Sequence, residues 1–270
     1  MSREVGPRQA EAGDVSPARI EAAAALRRLG HAIVAHHADD ETFRRITVAA
    51  RELEAEVAAS APRRRDVDEM KRTLFSGDLL EGGRLQDFPD CIVSGEANPM
   101  GIGMVAHQVG EEAHARVILG PAFEGAPRRA HGGVVAAVFD DVMGFMLAIK
   151  ALPAFTGEMT VRYLAPVPVG EEIEFRGRLD GQDGRKLFMS ADAWCAGRRI
   201  AESSAVFIAL PLERFARGPG RARAGGRPEL DLREPGAGAS APGIRLSGVV
   251  TVAGRGWRHP DRRSSGSRVS

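Results

Sequence analysis

The spacing of apolar residues changes character along the chain. Up to about residue 60 they recur at helical intervals. Ile20, Ala24, Leu26, Leu29, Ile33 and Val34 form one series behind Ser16-Pro17, a capping residue followed by a first-turn proline. A second series, Phe43, Ile46, Ala49, Leu53 and Val57, follows Asp39 and Asp40, either of which can cap it, and leaves Arg44, Arg45, Arg51 and Glu52 for the other side. Pro62-Arg63-Arg64-Arg65 breaks the pattern, and a short helix is predicted over 67–75. From about residue 84 the pattern becomes one of strands around a single long helix. Residues 113–119 alternate moderately, and residues 131–152 are apolar on nearly every side, as expected of a buried helix. Extended segments follow at 156–165, ending at Pro166, and at 172–179, which alternates closely. Two more, at 186–195 and 200–210, are set off by turns at Asp183-Gly184 and Gly197-Arg198. Strands, one central helix and then a meander predict an α+β layer, with an antiparallel sheet packed on that helix.

The chain therefore divides into a helical extension (1–78), a central domain (79–213) and a tail (214–270). The tail is rich in Gly, Pro, Ser and Arg, has no periodic apolar pattern, and is expected to be disordered. Its twelve arginines face only four acidic residues, but Phe215 and Trp257 are its only aromatics, so a solvated tail is favoured over a nucleic-acid arm. A net charge of +1 gives the whole chain no general attraction to nucleic acid or membrane. Cys91 and Cys195 are too few for a disulfide framework or a thiolate zinc site, and no early apolar run resembles a signal peptide. The expected setting is the cytoplasm. His36 and His37 diverge as helix neighbours and have no third ligand, so no metal is expected.

The candidate chemistry lies in residues 131–141. His131-Gly132-Gly133 opens the long apolar helix, where two glycines leave backbone N–H groups unshielded and the helix dipole favours an anionic oxygen. Such a group of donors can serve as an oxyanion hole. Asp140 then stands in a helix otherwise built of Val, Ala, Phe, Met and Leu, where an idle charge is costly. The combination suggests acyl transfer.

These residues resemble the hotdog-fold acyl-CoA thioesterases of the phenylacetate-degradation type. The resemblance rests on His131-Gly132-Gly133, on Asp140 nine residues after the histidine, and on the meander that follows. The strand 158–166 with Tyr163 and Pro166, the Gly170-Glu171 turn, and Cys91, Gly95, Asn98 and Pro99 before the first strand add to it. It covers about residues 90–212 and implies a hotdog fold, an antiparallel sheet wrapped on one long helix. It implies that Gly132 or Gly133 gives a backbone donor to the thioester oxygen and that His131 orients the loop or the substrate. Asp140 would act as general base or nucleophile, and Thr156 falls where relatives place a hydroxyl that holds the water. Gly125 departs from the pattern, since some relatives carry a polar amide there. Arg128 and Arg129, or Arg185 and Lys186 at the hairpin turn, are candidates for coenzyme A phosphates, although turn charges are usually only solvated.

Helix geometry adds one constraint. Seven residues separate Gly133 from Asp140, about 10 Å along a helix, so one carbonyl cannot touch both. The carboxylate is expected from a second chain, making the unit a homodimer, or a dimer of dimers, with shared sites. Asp141, one step round the helix, reads as a structural or interface carboxylate, and Tyr163 and Trp194 as core or cleft lining. The expected substrate is an acyl-CoA, with coenzyme A present only as part of it and no other cofactor. The competing readings are a hotdog enoyl-CoA hydratase or dehydratase and a non-catalytic acyl-CoA-binding regulator.

Overall fold

The computed structural model describes residues 15–63, 84–85, 88–210 and 250–253. Helix α1 (Pro17–Ala35) starts where Ser16 accepts a hydrogen bond from the Arg19 N–H, with Pro17 in its first turn. Helix α2 (Asp40–Ala58) is capped by Asp39, whose carboxylate accepts the Thr42 N–H at 2.8 Å. Those hydrogen bonds to Thr42 hold the Asp39 carboxyl below the usual carboxylate range. Asp39 is thus the cap and Asp40 the first helical residue. The helix predicted over 67–75 lies outside the described residues.

The central domain contains strands β1 (Arg84–Leu85), β2 (Val105–Val109) and β3 (Glu112–Ile118), then a 3-10 turn (Pro121–Phe123). A small hairpin, β4 (Glu124–Ala126) and β5 (Arg129–Ala130), leads into helix α3 (Gly132–Ile149). Strands β6 (Ala154–Tyr163), β7 (Glu172–Asp183), β8 (Lys186–Cys195) and β9 (Arg198–Ala209) complete it. The main sheet runs β1-β2-β3-β7-β8-β9-β6, antiparallel throughout, and a further strand β10 (Val250–Ala253) adds to β6 in parallel.

Helix α3 buries Val135, Val138, Phe139, Val142, Met143 and Met146 against the inner face of this sheet. Phe139 and Phe175, both fully buried, meet edge to face with ring centres 4.9 Å apart. Gly177 on β7 lets the helix come close, because a Cβ there would lie 2.9 Å from Val142 Cγ1. α3 is long and apolar enough to cross a membrane by composition, but its buried face shows that it serves as the core helix. Val134, Ala137 and Leu147 pack only partly against the core and leave apolar surface on its other side.

The predicted strands all form, with shifted ends. β7 runs to Asp183 rather than 179, since a register shift between Leu179 and Gly181 breaks the alternation without ending the pairing. His131 caps α3 instead of opening it, and the helix stops at Ile149, before Ala151 at φ +50°. One piece of the tail departs from the disordered reading. Val250, Thr251 and Val252 are β-branched and supply ladder partners to the edge of β6, so Val250–Ala253 is a strand; residues 211–249 and 254–270 lie outside the described part.

Helix α1 is bound to the central domain by polar contacts. Arg19 and Arg63, from before and after the two helices, both pair with Asp90. Partial burial alone would raise the Asp90 carboxyl, but the two guanidiniums outweigh it and hold it below the usual range. Arg27 donates to the carbonyls of Asn98 at 2.6 Å and Glu96 at 3.0 Å, and Ala23 on the same helix is buried.

Candidate active site

The N-terminus of α3 is held from three sides. His131 is extended (φ −64°, ψ 131°), as a capping residue must be, and its N–H donates to the Phe123 carbonyl at 2.8 Å. Its carbonyl starts the helix by accepting from Val134 and Val135. Its ring then folds back, and Nδ1 accepts the Gly133 N–H at 3.0 Å. On the other side the Tyr163 hydroxyl donates to the Gly132 carbonyl at 2.6 Å. That carbonyl and the Gly133 N–H are the two ends of one planar peptide group, so Tyr163 and His131 together fix its orientation. A phenol is a donor at neutral pH, and burial pushes that of Tyr163 further above its ordinary pKa.

The two candidate amides are therefore unequal. The Gly133 N–H is engaged by its own histidine, whereas the Gly132 N–H, at the first helical position, has no acceptor among the described residues. Gly125 has a steric reason to lack the side chain some relatives carry: a Cβ there would stand 2.8 Å from His131 Cα and 3.0 Å from the imidazole Cδ2.

Asp140 lies two turns further on, half-buried, and Thr156 Oγ1 donates to its Oδ1 at 2.7 Å. Sixteen residues apart in sequence, the two meet because β6 returns along α3, with a register shift between Thr156 and Glu158 at this point. One carboxylate oxygen is thus oriented and the other remains for a second hydrogen bond. Asp141 points elsewhere and accepts from Cys91 Sγ at 3.4 Å, as suits a structural carboxylate.

The basic candidates do not converge. Arg128 and Arg129 are exposed just before His131, the former at φ +63° with its N–H on Glu124 Oε1 at 2.8 Å. Arg185 donates to the Ala209 carbonyl at 2.9 Å and Lys186 is exposed beside it, near Pro153 and so at the far end of α3. Within one chain, a single phosphate group cannot meet both pairs.

A further brace was not read from the sequence. His31 on α1 accepts the Ala122 N–H through Nδ1 at 3.1 Å and meets the Phe123 ring edge-on, centres 5.1 Å apart. Gly120 makes room for it, since a Cβ there would lie 2.6 Å from the imidazole. The Phe123 carbonyl is the group that accepts from His131, so α1 supports the turn on which the cap rests. Tyr163 is the chain's only tyrosine, yet only the fold reveals that its hydroxyl reaches Gly132 rather than merely lining a cleft.

With this geometry in place, comparison with known proteins finds similarity to the thioesterase superfamily over the segment that holds these residues. The family model described as Thioesterase superfamily matches residues 129–202, the segment holding the histidine cap, both glycines, Asp140 and Thr156. Among curated proteins, acyl-coenzyme A thioesterase THEM5 of Mus musculus is 32% identical over 96 residues, 35% of this chain and 39% of that protein. Acyl-coenzyme A thioesterase THEM4 of Bos taurus is 28% identical over 97 residues, 35% of this chain and 40% of that one. The chain thus matches about two fifths of the length of these relatives. A crystal structure of a thioesterase superfamily protein shares the fold at 23% identity with a TM-score of 0.62, covering 72% of this chain and 92% of that one.

Proposed function

We propose that the protein is an acyl-CoA thioesterase that hydrolyses a thioester to a carboxylic acid and free coenzyme A. The observation that carries this reading is the Thr156–Asp140 hydrogen bond, in the same segment as the glycine amides at the start of α3. Relatives over this segment are named acyl-coenzyme A thioesterases, which supports the substrate class. A thioester is already activated, so the site must polarise its carbonyl and deliver water. The amide donors, with the α3 dipole behind them, stabilise the oxygen that becomes negative. Asp140 takes a proton as water oxygen bonds to the carbonyl carbon; the C–S bond then breaks, and the departing thiolate takes a proton to leave as the free thiol. As a nucleophile Asp140 would instead form an anhydride that water opens, and the same residues would serve.

A carboxylate and backbone donors cover both proton transfer and charge stabilisation, so the reaction needs neither metal nor redox cofactor. The site is shared between two copies, because Gly133 and Asp140 of one helix stand about 10 Å apart. The half-exposed Val134, Ala137 and Leu147 give α3 an apolar surface for that second copy. The cytoplasm remains the proposed setting.

The test is a thiol-release screen of short, long and aromatic acyl-CoAs with the full chain. Release from at least one class is expected. Hydration of crotonyl-CoA without thiol release would replace this reading with the hydratase one, and tight binding without any turnover would replace it with a regulator.

Two variants test how the α3 N-terminus is held. Tyr163→Phe removes a single hydrogen bond to the Gly132 carbonyl, worth about 1 kcal/mol, so kcat should fall about fivefold to tenfold with KM little changed in steady-state assays. His31→Leu keeps bulk beside Phe123 but removes the acceptor for Ala122; kcat should fall severalfold, and His31→Asn, which can accept again, should recover most of it.

A further inference from the structure

Strand β6 ends the sheet of the central domain. β9 pairs with one of its sides, and among the described residues the partner on the other side is the tail strand β10. β6 has 10 residues and β10 has 4, aligned in parallel with Met159, Thr160, Val161 and Arg162. β10 therefore covers the middle of this edge and leaves residues 154–158 of it open. An open strand edge is a template on which another strand can add.

The same edge is the one a two-copy site needs. β6 carries both side chains that hold the site, Thr156 bound to Asp140 and Tyr163 bound to the Gly132 carbonyl. Two β6 strands related by a twofold axis across their edges run antiparallel. With Met159 of one copy across from Thr160 of the other, Thr156 comes level with Tyr163 of the second copy. Asp140 of each chain is then brought toward the Gly132 amide of the other, which answers the separation of the two groups along a single α3. Met159 and Thr160, the centre of that pairing, are the first two residues that β10 covers. The tail strand and a second β6 cannot occupy this edge together.

We infer that Val250–Ala253 is a competitor for assembly built into the chain: docked on β6 it keeps the protein as a single copy with an incomplete site, and it leaves when two chains pair. This rests on the two-copy reading proposed above. β10 is tethered to its own β6 whereas a second copy must be met in solution, so the balance shifts toward pairing as the protein becomes more concentrated. Thr251→Pro combined with Val252→Pro in the full chain tests it. One of two successive strand residues aims its N–H at the neighbouring strand, so a ladder bond is lost whichever it is, and neither residue belongs to the site. The concentration at which half the chains are paired, read by light scattering, should fall about tenfold, and thiol release from dilute protein should rise with it. The converse variant, Thr160→Cys with Thr251→Cys, puts two thiols at paired positions of the ladder. Oxidised within one chain, it should stay a single copy with thiol release suppressed, and a reductant should restore both. An unchanged pairing concentration in the proline variant, or a locked chain that still pairs, overturns the inference. Equal pairing by all three chains leaves the two-copy site standing without the competitor, whereas single copies with full turnover remove the two-copy reading as well.

Discussion

Replacing Asp140 with alanine is expected to reduce thiol release by about two to four orders of magnitude, the range that a positioned acid or base contributes. Circular dichroism and solution mass should not change, because the side chain is only half-buried and its one hydrogen bond, to Thr156, comes from a hydroxyl that can turn to water. Asp141→Ala is the matched control. Its carboxylate faces Cys91 instead, so that variant should keep much of its turnover and show any loss in stability. Thr156→Ala should fall between the two, since the carboxylate stays but is less well aimed. Turnover by the Asp140 variant at the normal rate would remove the mechanism, whatever the fold.

The largest effect on stability is expected at Phe175. It is fully buried, packs edge to face on Phe139, and stands on the strand against which α3 rests. Phe175→Ala should cost about 3–5 kcal/mol, combining lost transfer energy with the cavity that remains. For a domain of this size that corresponds to a fall in Tm of about 10–15 °C, measurable by thermal unfolding. A fall of only a degree or two would mean that neighbours close the space, and the core would then be more plastic than its packing implies.

Much of this architecture could be read from the residues. The helix α3 announced itself through apolar residues on all sides, and β7 and β8 through alternation and the Asp183-Gly184 turn. Ser16-Pro17 marked the start of α1 correctly. The family resemblance singled out Asp140 and Thr156 separately, the latter as a hydroxyl that holds water; their direct hydrogen bond was not legible, since no local pattern links residues sixteen apart. β2 escaped because its exposed and buried positions carry no clear contrast, with Val105 and Val109 facing outward and Ala106 inward. The supports of the α3 N-terminus escaped for a different reason. His31, Tyr163 and Phe123 act through backbone groups brought near only by tertiary folding, and a side chain that bonds a distant carbonyl leaves no trace in periodicity.

The imidazole that occupies the Gly133 amide bears on how binding energy is used under the proposed chemistry. For an incoming substrate to use that donor, it must trade one neutral acceptor for another, a thioester oxygen for a ring nitrogen. Ground-state affinity therefore gains little from the exchange. Once the carbonyl oxygen carries negative charge it becomes a far stronger acceptor than the nitrogen it displaced, and the same amide then favours the transition state selectively. A resting donor satisfied from within lowers the barrier without tightening the hold on unreacted substrate.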